Sequence, residues 1–192
     1  MYKWLDERLD LSGLYQKVLR KAFPVHHSFF LGEITLFAFI VLVLTGIFLT
    51  LNYEPSIREV KLPDGRTVPA AYGSVLYIDS LPFGAVIRSL HHWSAHVMIA
   101  AAFLHMLRIL LSGAYKKPRE LNYLVGLALL GLSVVTAFTG YALPYDNYAV
   151  TATRIGYGIA TSIPWIGEGL AQIMFGGEFP GSEKSTPRLY SL

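Results

Sequence analysis

The 192-residue chain contains no cysteine. That excludes disulfides, thiolate metal sites, iron–sulfur ligation and any prosthetic group held by thioether bonds. Charge is also scarce: 15% of residues are charged, against 53% hydrophobic and 14% aromatic. A soluble domain of this length ordinarily carries more charge and less apolar surface. The net charge of +3 is too small to mark a nucleic-acid partner. The opening stretch, MYKWLDERLDLSGLYQKVLRKAFP, has no apolar core behind its first charges and does not read as a cleavable signal.

What the chain does have is long apolar runs. Three are long enough to cross a bilayer: about Leu31 to Leu51, Val86 to Leu111, and Leu121 to Leu143, where Pro144 ends the last. At about 1.5 Å rise per residue each covers a hydrocarbon core of ~30 Å. Basic residues cluster before the first run (Lys3, Arg8, Lys17, Arg20, Lys21) and between the second and third (Arg108, Lys116, Lys117, Arg119). Both segments are therefore expected on the cytoplasmic side.

Residues 1–30 read as an amphipathic segment on that side, lying on the membrane surface or packed on another subunit, with apolar residues such as Trp4, Leu9 and Leu19 at helical spacing. Residues 56–70 carry a Pro-Asp-Gly turn signal and read as a small hairpin. Residues 144–192 are apolar but broken by Gly and Pro, and read as short helices along the opposite surface rather than a fourth span.

The second run carries four histidines and is flanked by arginines, groups that are costly in a bilayer. His91 and His105 are fourteen positions apart, so they stand about 40° apart in azimuth and ~21 Å apart along the helix. That spacing places one imidazole towards each membrane surface, on a shared face. Imidazole is an axial ligand of haem iron, and transmembrane electron transfer needs two haems within reach. The same interval separates Gly32 from Gly46 in the first run and Gly126 from Gly140 in the third. Glycine admits a flat macrocycle where a side chain would collide. A four-helix bundle holding two haems needs this repeat. Arg88 and Arg108 flank the pair and suit haem propionates.

Each feature alone has a plainer reading. A single intramembrane histidine is often a helix–helix hydrogen-bonding group or a proton relay. Glycines are common in membrane helices, and boundary arginines are often headgroup anchors. His92 and His96 fall about 100° and 140° off the His91 direction and are expected in packing or interface roles. His26 and His27 read as headgroup-level polar residues ahead of any role in proton uptake.

Longer stretches carry a resemblance. FPVHHSFFLGEITLFAFIVLVLTG, RSLHHW with its second histidine fourteen on, GAYKKPRELNYLVG, TAFTGYALPYD, IPWIG and FPG…TPRLYSL occur in one order along nearly the whole chain. Together they resemble the N-terminal part of the cytochrome b subunit of quinol:cytochrome c oxidoreductases. HHW, LGEI and GGEFPG look most like the actinobacterial, Gram-positive type, and KKPREL and LPYD echo the short plastid-type subunit.

The resemblance implies an all-α membrane protein contributing three helices of a four-helix di-haem bundle. Its parts would be segment 1–30, a haem-binding core over 31–143, and surface helices of a quinol-oxidation region over 144–192. It implies that His91 ligates the low-potential haem near the outer face and His105 the high-potential haem near the cytoplasm. Quinol, expected to be menaquinol, would be oxidised in an outer pocket built in part from Phe138, Tyr141, Ala152 and Ile155. One electron would pass to a Rieske iron–sulfur protein and a cytochrome c subunit. The other would cross both haems b, and the cycle would build a proton gradient across a bacterial plasma membrane. A homodimer of the complex is implied, with no nucleic-acid partner.

Two departures qualify the resemblance. In the family a fourth span supplies the second histidine of each haem, beginning after a stretch like TPRLYSL, where this sequence stops at Leu192. The second ligands are therefore expected from remaining cytochrome b helices or a partner chain. The plastid-type subunit attaches a further haem through a cysteine, where Phe30 stands here, so no covalent haem is expected. Two other functions compete: a cytochrome b membrane anchor of a quinone-linked dehydrogenase, and a haem-free membrane scaffold or small transporter. The LPYD…IPWIG surface stretch weighs against the first, and the coincident Gly and Arg spacings against the second.

Overall fold

Three long helices dominate the computed structural model, which describes residues 30–176 and 183–192. They are α1 (Leu31–Asn52), α3 (Gly84–Leu111) and α4 (Glu120–Ala142), each long and apolar enough to cross a membrane. Their limits fall within two residues of the apolar runs in the sequence. The amphipathic segment and the histidine pair expected within residues 1–29 lie outside the described residues.

The span interiors keep their few hydroxyls satisfied within the helix. Thr35 donates to the Leu31 carbonyl at 2.8 Å, Ser133 to Leu129 at 2.8 Å and Thr136 to Leu132 at 3.0 Å. Lipid offers these groups no partner, so back-bonding one turn earlier lets them stand in an apolar helix. Much of the surface of the spans is apolar and uncovered: Leu36, Phe37, Leu44, Leu124 and Leu132 are all exposed. In a bilayer that surface belongs against lipid or further helices.

Helix α3 is the middle member of the three. It packs extensively along α1 and less so on α4, while the backbones of α1 and α4 do not meet. Two links tie the far ends together. The Tyr53 hydroxyl, just past α1, donates to the Leu143 carbonyl past α4 at 2.6 Å. Its ring also lies 5.6 Å from that of Tyr190. Burial, with a smaller contribution from Tyr190, pushes the Tyr53 phenol well above its ordinary pKa.

Between α1 and α3 the expected hairpin is present. Strands β1 (Glu59–Lys61) and β2 (Thr67–Pro69) pair antiparallel, with Val60 opposite Val68, around the Pro63–Gly65 turn. A further helix, α2 (Ala70–Ser80), follows directly, with Pro69 at its N-cap. The sequence pattern does not predict a helix there: an eleven-residue apolar stretch containing Gly73 shows little periodicity. Its first amides are satisfied by the strand segment, Ala70 by the Arg58 carbonyl and Ala71 by that of Ser56, both at 2.8 Å.

Beyond α4 three short helices form a corner: α5 (Asn147–Thr161), α6 (Gly167–Phe175) and α7 (Ser185–Ser191). Asp146 caps α5 by accepting from the Ala149 amide at 2.7 Å. Ala142, Ala160, Ala171, Phe175 and Leu189 close into one apolar cluster, with Phe138 and Tyr157 against it. Phe175 is fully buried, its ring 6.4 Å from Phe138 and 5.5 Å from Tyr157 in edge-on geometry. Burying one such side chain is worth roughly 1.5–3 kcal/mol.

Candidate haem and quinol site

Both candidate ligands lie on the α1 side of α3, half-buried. A glycine of α1 faces each of them. A methyl added at Gly46 would stand 3.4 Å from His91 Cε1, and one at Gly32 would stand 3.2 Å from His105 Cε1. The two contacts pair the later glycine with the earlier histidine, as antiparallel helices require. Thus the repeat in α1 and the repeat in α3 are one repeat, seen from two helices. A branched side chain at either glycine would force the imidazole aside.

The third helix behaves differently. A methyl at Gly126 would meet Met106 Sδ at 3.1 Å, so that place is filled by a flexible side chain next to His105. At Gly140 an added methyl would meet nothing within 4 Å, leaving open space at the His91 end of α4.

The polar surroundings of the two histidines also differ. His91 Nδ1 lies 2.8 Å from Thr45 Oγ1. His105 Nδ1 is buried and has no hydrogen-bond partner among the described residues. No side-chain hydrogen bond among the described residues engages Nε2 of either ring, which leaves that nitrogen available as a metal ligand. All four described histidines lie on α3. If either were to hold a haem with a second histidine, that histidine would have to come from outside the described residues. No group of three or more metal-ligating side chains gathers among the described residues.

The flanking arginines are placed asymmetrically. Arg88 makes a two-pronged ion pair with Asp79 of α2, at 2.7 Å and 2.9 Å. Arg108 has no ion-pair partner among the described residues. Sequence reasoning does not single out Asp79; its only signal is an acid nine positions before an interfacial arginine. It does not single out Thr45 either, although Thr45 adjoins Gly46. His92 and His96 are exposed, with rings 4.6 Å apart and the His96 Nδ1 2.9 Å from the His92 carbonyl. They stand off the glycine-lined face, as their azimuths predict.

The four residues expected to border a quinol pocket all lie where α4 turns into α5. Phe138 faces inward, over Gly156 and against Phe175, and serves the corner's core. Tyr141 and Ile155 are exposed, and Ala152 is half-buried. Burial raises the nearby Tyr145 phenol above its ordinary pKa, against a smaller opposing effect of Arg154.

Comparison with known proteins resolves the family. The cytochrome b(N-terminal)/b6/petB family matches residues 96–192. The chain belongs to the cytochrome b family. It is 42% identical to the cytochrome bc1 complex cytochrome b subunit of Streptomyces coelicolor over 98% of its own length and 36% of that protein. It is 37% identical to the menaquinol:cytochrome c reductase cytochrome b subunit of Geobacillus thermodenitrificans, over 92% of this chain and 78% of that one. Cytochrome b6 of Synechococcus elongatus is 38% identical, over 100% and 85%. Among solved structures, a hyperthermophilic respiratory Complex III matches with a TM-score of 0.77 and 25% identity, covering 100% of this chain and 49% of that one. The chain spans about a third of the length of the actinobacterial relatives it matches. The likeness to the actinobacterial type read from HHW, LGEI and GGEFPG agrees with these relatives, and the helical-bundle fold with the solved structure.

Proposed function

We propose that this cytochrome b chain is the haem-bearing part of a respiratory quinol:cytochrome c oxidoreductase. The observation that carries the reading is the paired placement of His91 against Gly46 and His105 against Gly32, one step towards each end of the same helix pair. In this reading His91 and His105 would each hold a haem b, with Gly46 and Gly32 seating their rings, Gly140 leaving open space at the His91 end, and Gly126 giving room at the His105 end once the flexible Met106 side chain turns aside. Arg108 and Arg88, the latter now paired with Asp79, would hold propionates at the two boundaries. The haems supply one-electron transfer across the bilayer.

Quinol oxidation is assigned to the α4–α5 corner at the outer face, with Tyr141, Ala152 and Ile155 bordering the pocket and Phe138 forming its floor. Menaquinol is the preferred substrate, in keeping with the menaquinol:cytochrome c reductase of the Geobacillus relative. A Rieske protein and a cytochrome c subunit accept electrons from the complex. Further cytochrome b helices give the second ligands, the complex is a dimer, and the N-terminus is cytoplasmic. Domain limits at 30 and 143 separate the surface segment, the haem-bearing core and the quinol corner.

The test is a purified complex containing this chain, supplied with a reduced menaquinone analogue and oxidised cytochrome c. Quinol-dependent cytochrome c reduction, with proton release on the side opposite the basic loops, is expected. A complex that retains b haems yet reduces no cytochrome c would replace this reading with that of a dehydrogenase anchor.

A further inference from the structure

Thr45 is buried, 8% exposed, and its hydroxyl meets two neighbours at short range. One is the Val41 carbonyl at 2.6 Å, one turn earlier in α1. The other is His91 Nδ1 at 2.8 Å. The Leu42 carbonyl is more distant, at 3.3 Å. A hydroxyl has one proton to give, and a carbonyl oxygen can only accept. If Thr45 gave its proton to His91, two oxygen acceptors would face each other at 2.6 Å with nothing between them. The proton therefore goes to Val41, and Thr45 Oγ1 accepts from His91. His91 then carries its hydrogen on Nδ1, which leaves the lone pair on Nε2.

We infer that Thr45 is a positioning residue for the His91 ligand: it holds the imidazole as the Nδ1–H tautomer, fixes the ring beside Gly46, and raises its basicity towards iron. The inference rests on the haem reading above. A histidine that donates its second N–H to an acceptor becomes a stronger electron donor and favours ferric over ferrous iron. His105 lacks such an acceptor among the described residues. The imidazoles of His91 and His105 are thus unequal ligands, and one hydroxyl of α1 contributes to the inequality. The hydroxyl can serve this purpose only because its own proton is already committed to Val41.

The experiment compares Thr45→Val, Thr45→Ser and the unaltered chain in the purified complex. Haem b is counted by pyridine haemochrome, and each haem is followed by redox titration and by electron paramagnetic resonance of the ferric state. Valine conserves shape and removes the acceptor. It is expected to raise the midpoint potential of one haem b, shift the resonance of that haem alone, and leave the haem count unchanged. Serine is expected to restore both values. If the valine variant fails to assemble, Thr45→Ala against Thr45→Ser gives the same comparison. Two haems present with potentials and resonances unmoved by loss of the hydroxyl would overturn the Thr45 inference while leaving the haem reading intact. Equal shifts at both haems, not reversed by serine, would also overturn it, as general loosening of α1. Absence of b haem from the unaltered complex would instead overturn the haem reading itself.

Discussion

The seam between α1 and α3 and the corner formed by α5, α6 and α7 solve opposite problems. The corner fills its own interior. Phe175 is buried completely, Phe138 and Tyr157 close on it edge-on, and Ala142, Ala160 and Ala171 let the helices approach. The seam leaves a polar atom of His105 unsatisfied and places glycine beside both imidazoles, and on the other side of α3 Gly140 of α4 faces open space. A region that packs itself is built for shape. A region that keeps room around ligating groups is built for something added later. The difference teaches that burial alone would direct attention to the corner, whereas the proposed haem site lies where packing is incomplete.

Substitutions that fill one region should leave the other intact. The largest effect is expected at the seam. Gly46→Val puts a branched side chain where even a methyl group would lie 3.4 Å from the His91 ring. It should eliminate one of the two b haems, read by haemochrome in the purified complex, while the other is retained. Retention of both haems would show that Gly46 does not border a cofactor. A smaller effect is expected at the corner. Phe175→Ala removes a fully buried ring, and large-to-small changes of this kind cost about 3–5 kcal/mol. Denaturant resistance and protease resistance of the 147–191 region should fall, with the haem spectrum unchanged. If the spectrum changed as well, seam and corner would be one cooperative unit and the contrast between them would fail.

The spans and the histidine face are legible in the amino-acid sequence. Apolar runs fix the spans because a lipid interior tolerates little else, and the fourteen-residue interval fixes a shared helix face by geometry alone. Pro63, Asp64 and Gly65 announce the hairpin turn. What stays hidden has a common cause. Thr45, Asp79 and Tyr53 act through partners on other elements: His91, Arg88 and the Leu143 carbonyl. Periodicity identifies the face of a helix but not which residue of another helix meets it. Phe138 illustrates the same limit, since it packs on Phe175, thirty-seven positions later, as well as lying beside the expected quinol pocket. Helix α2 escapes the pattern for a local reason: its short apolar sequence resembles a loop with scattered hydrophobes.

The central claim is that His91 and His105 hold iron. The most direct measurement is a dithionite-reduced minus oxidised spectrum of the purified complex, with haem b counted per copy of this chain, for the unaltered protein and for His91→Leu and His105→Leu separately. Two haems b are expected in the unaltered complex, and each variant should lose a different one. Loss of neither haem in either variant, or no b-type haem in the unaltered complex, would contradict the account and return both histidines to a packing role.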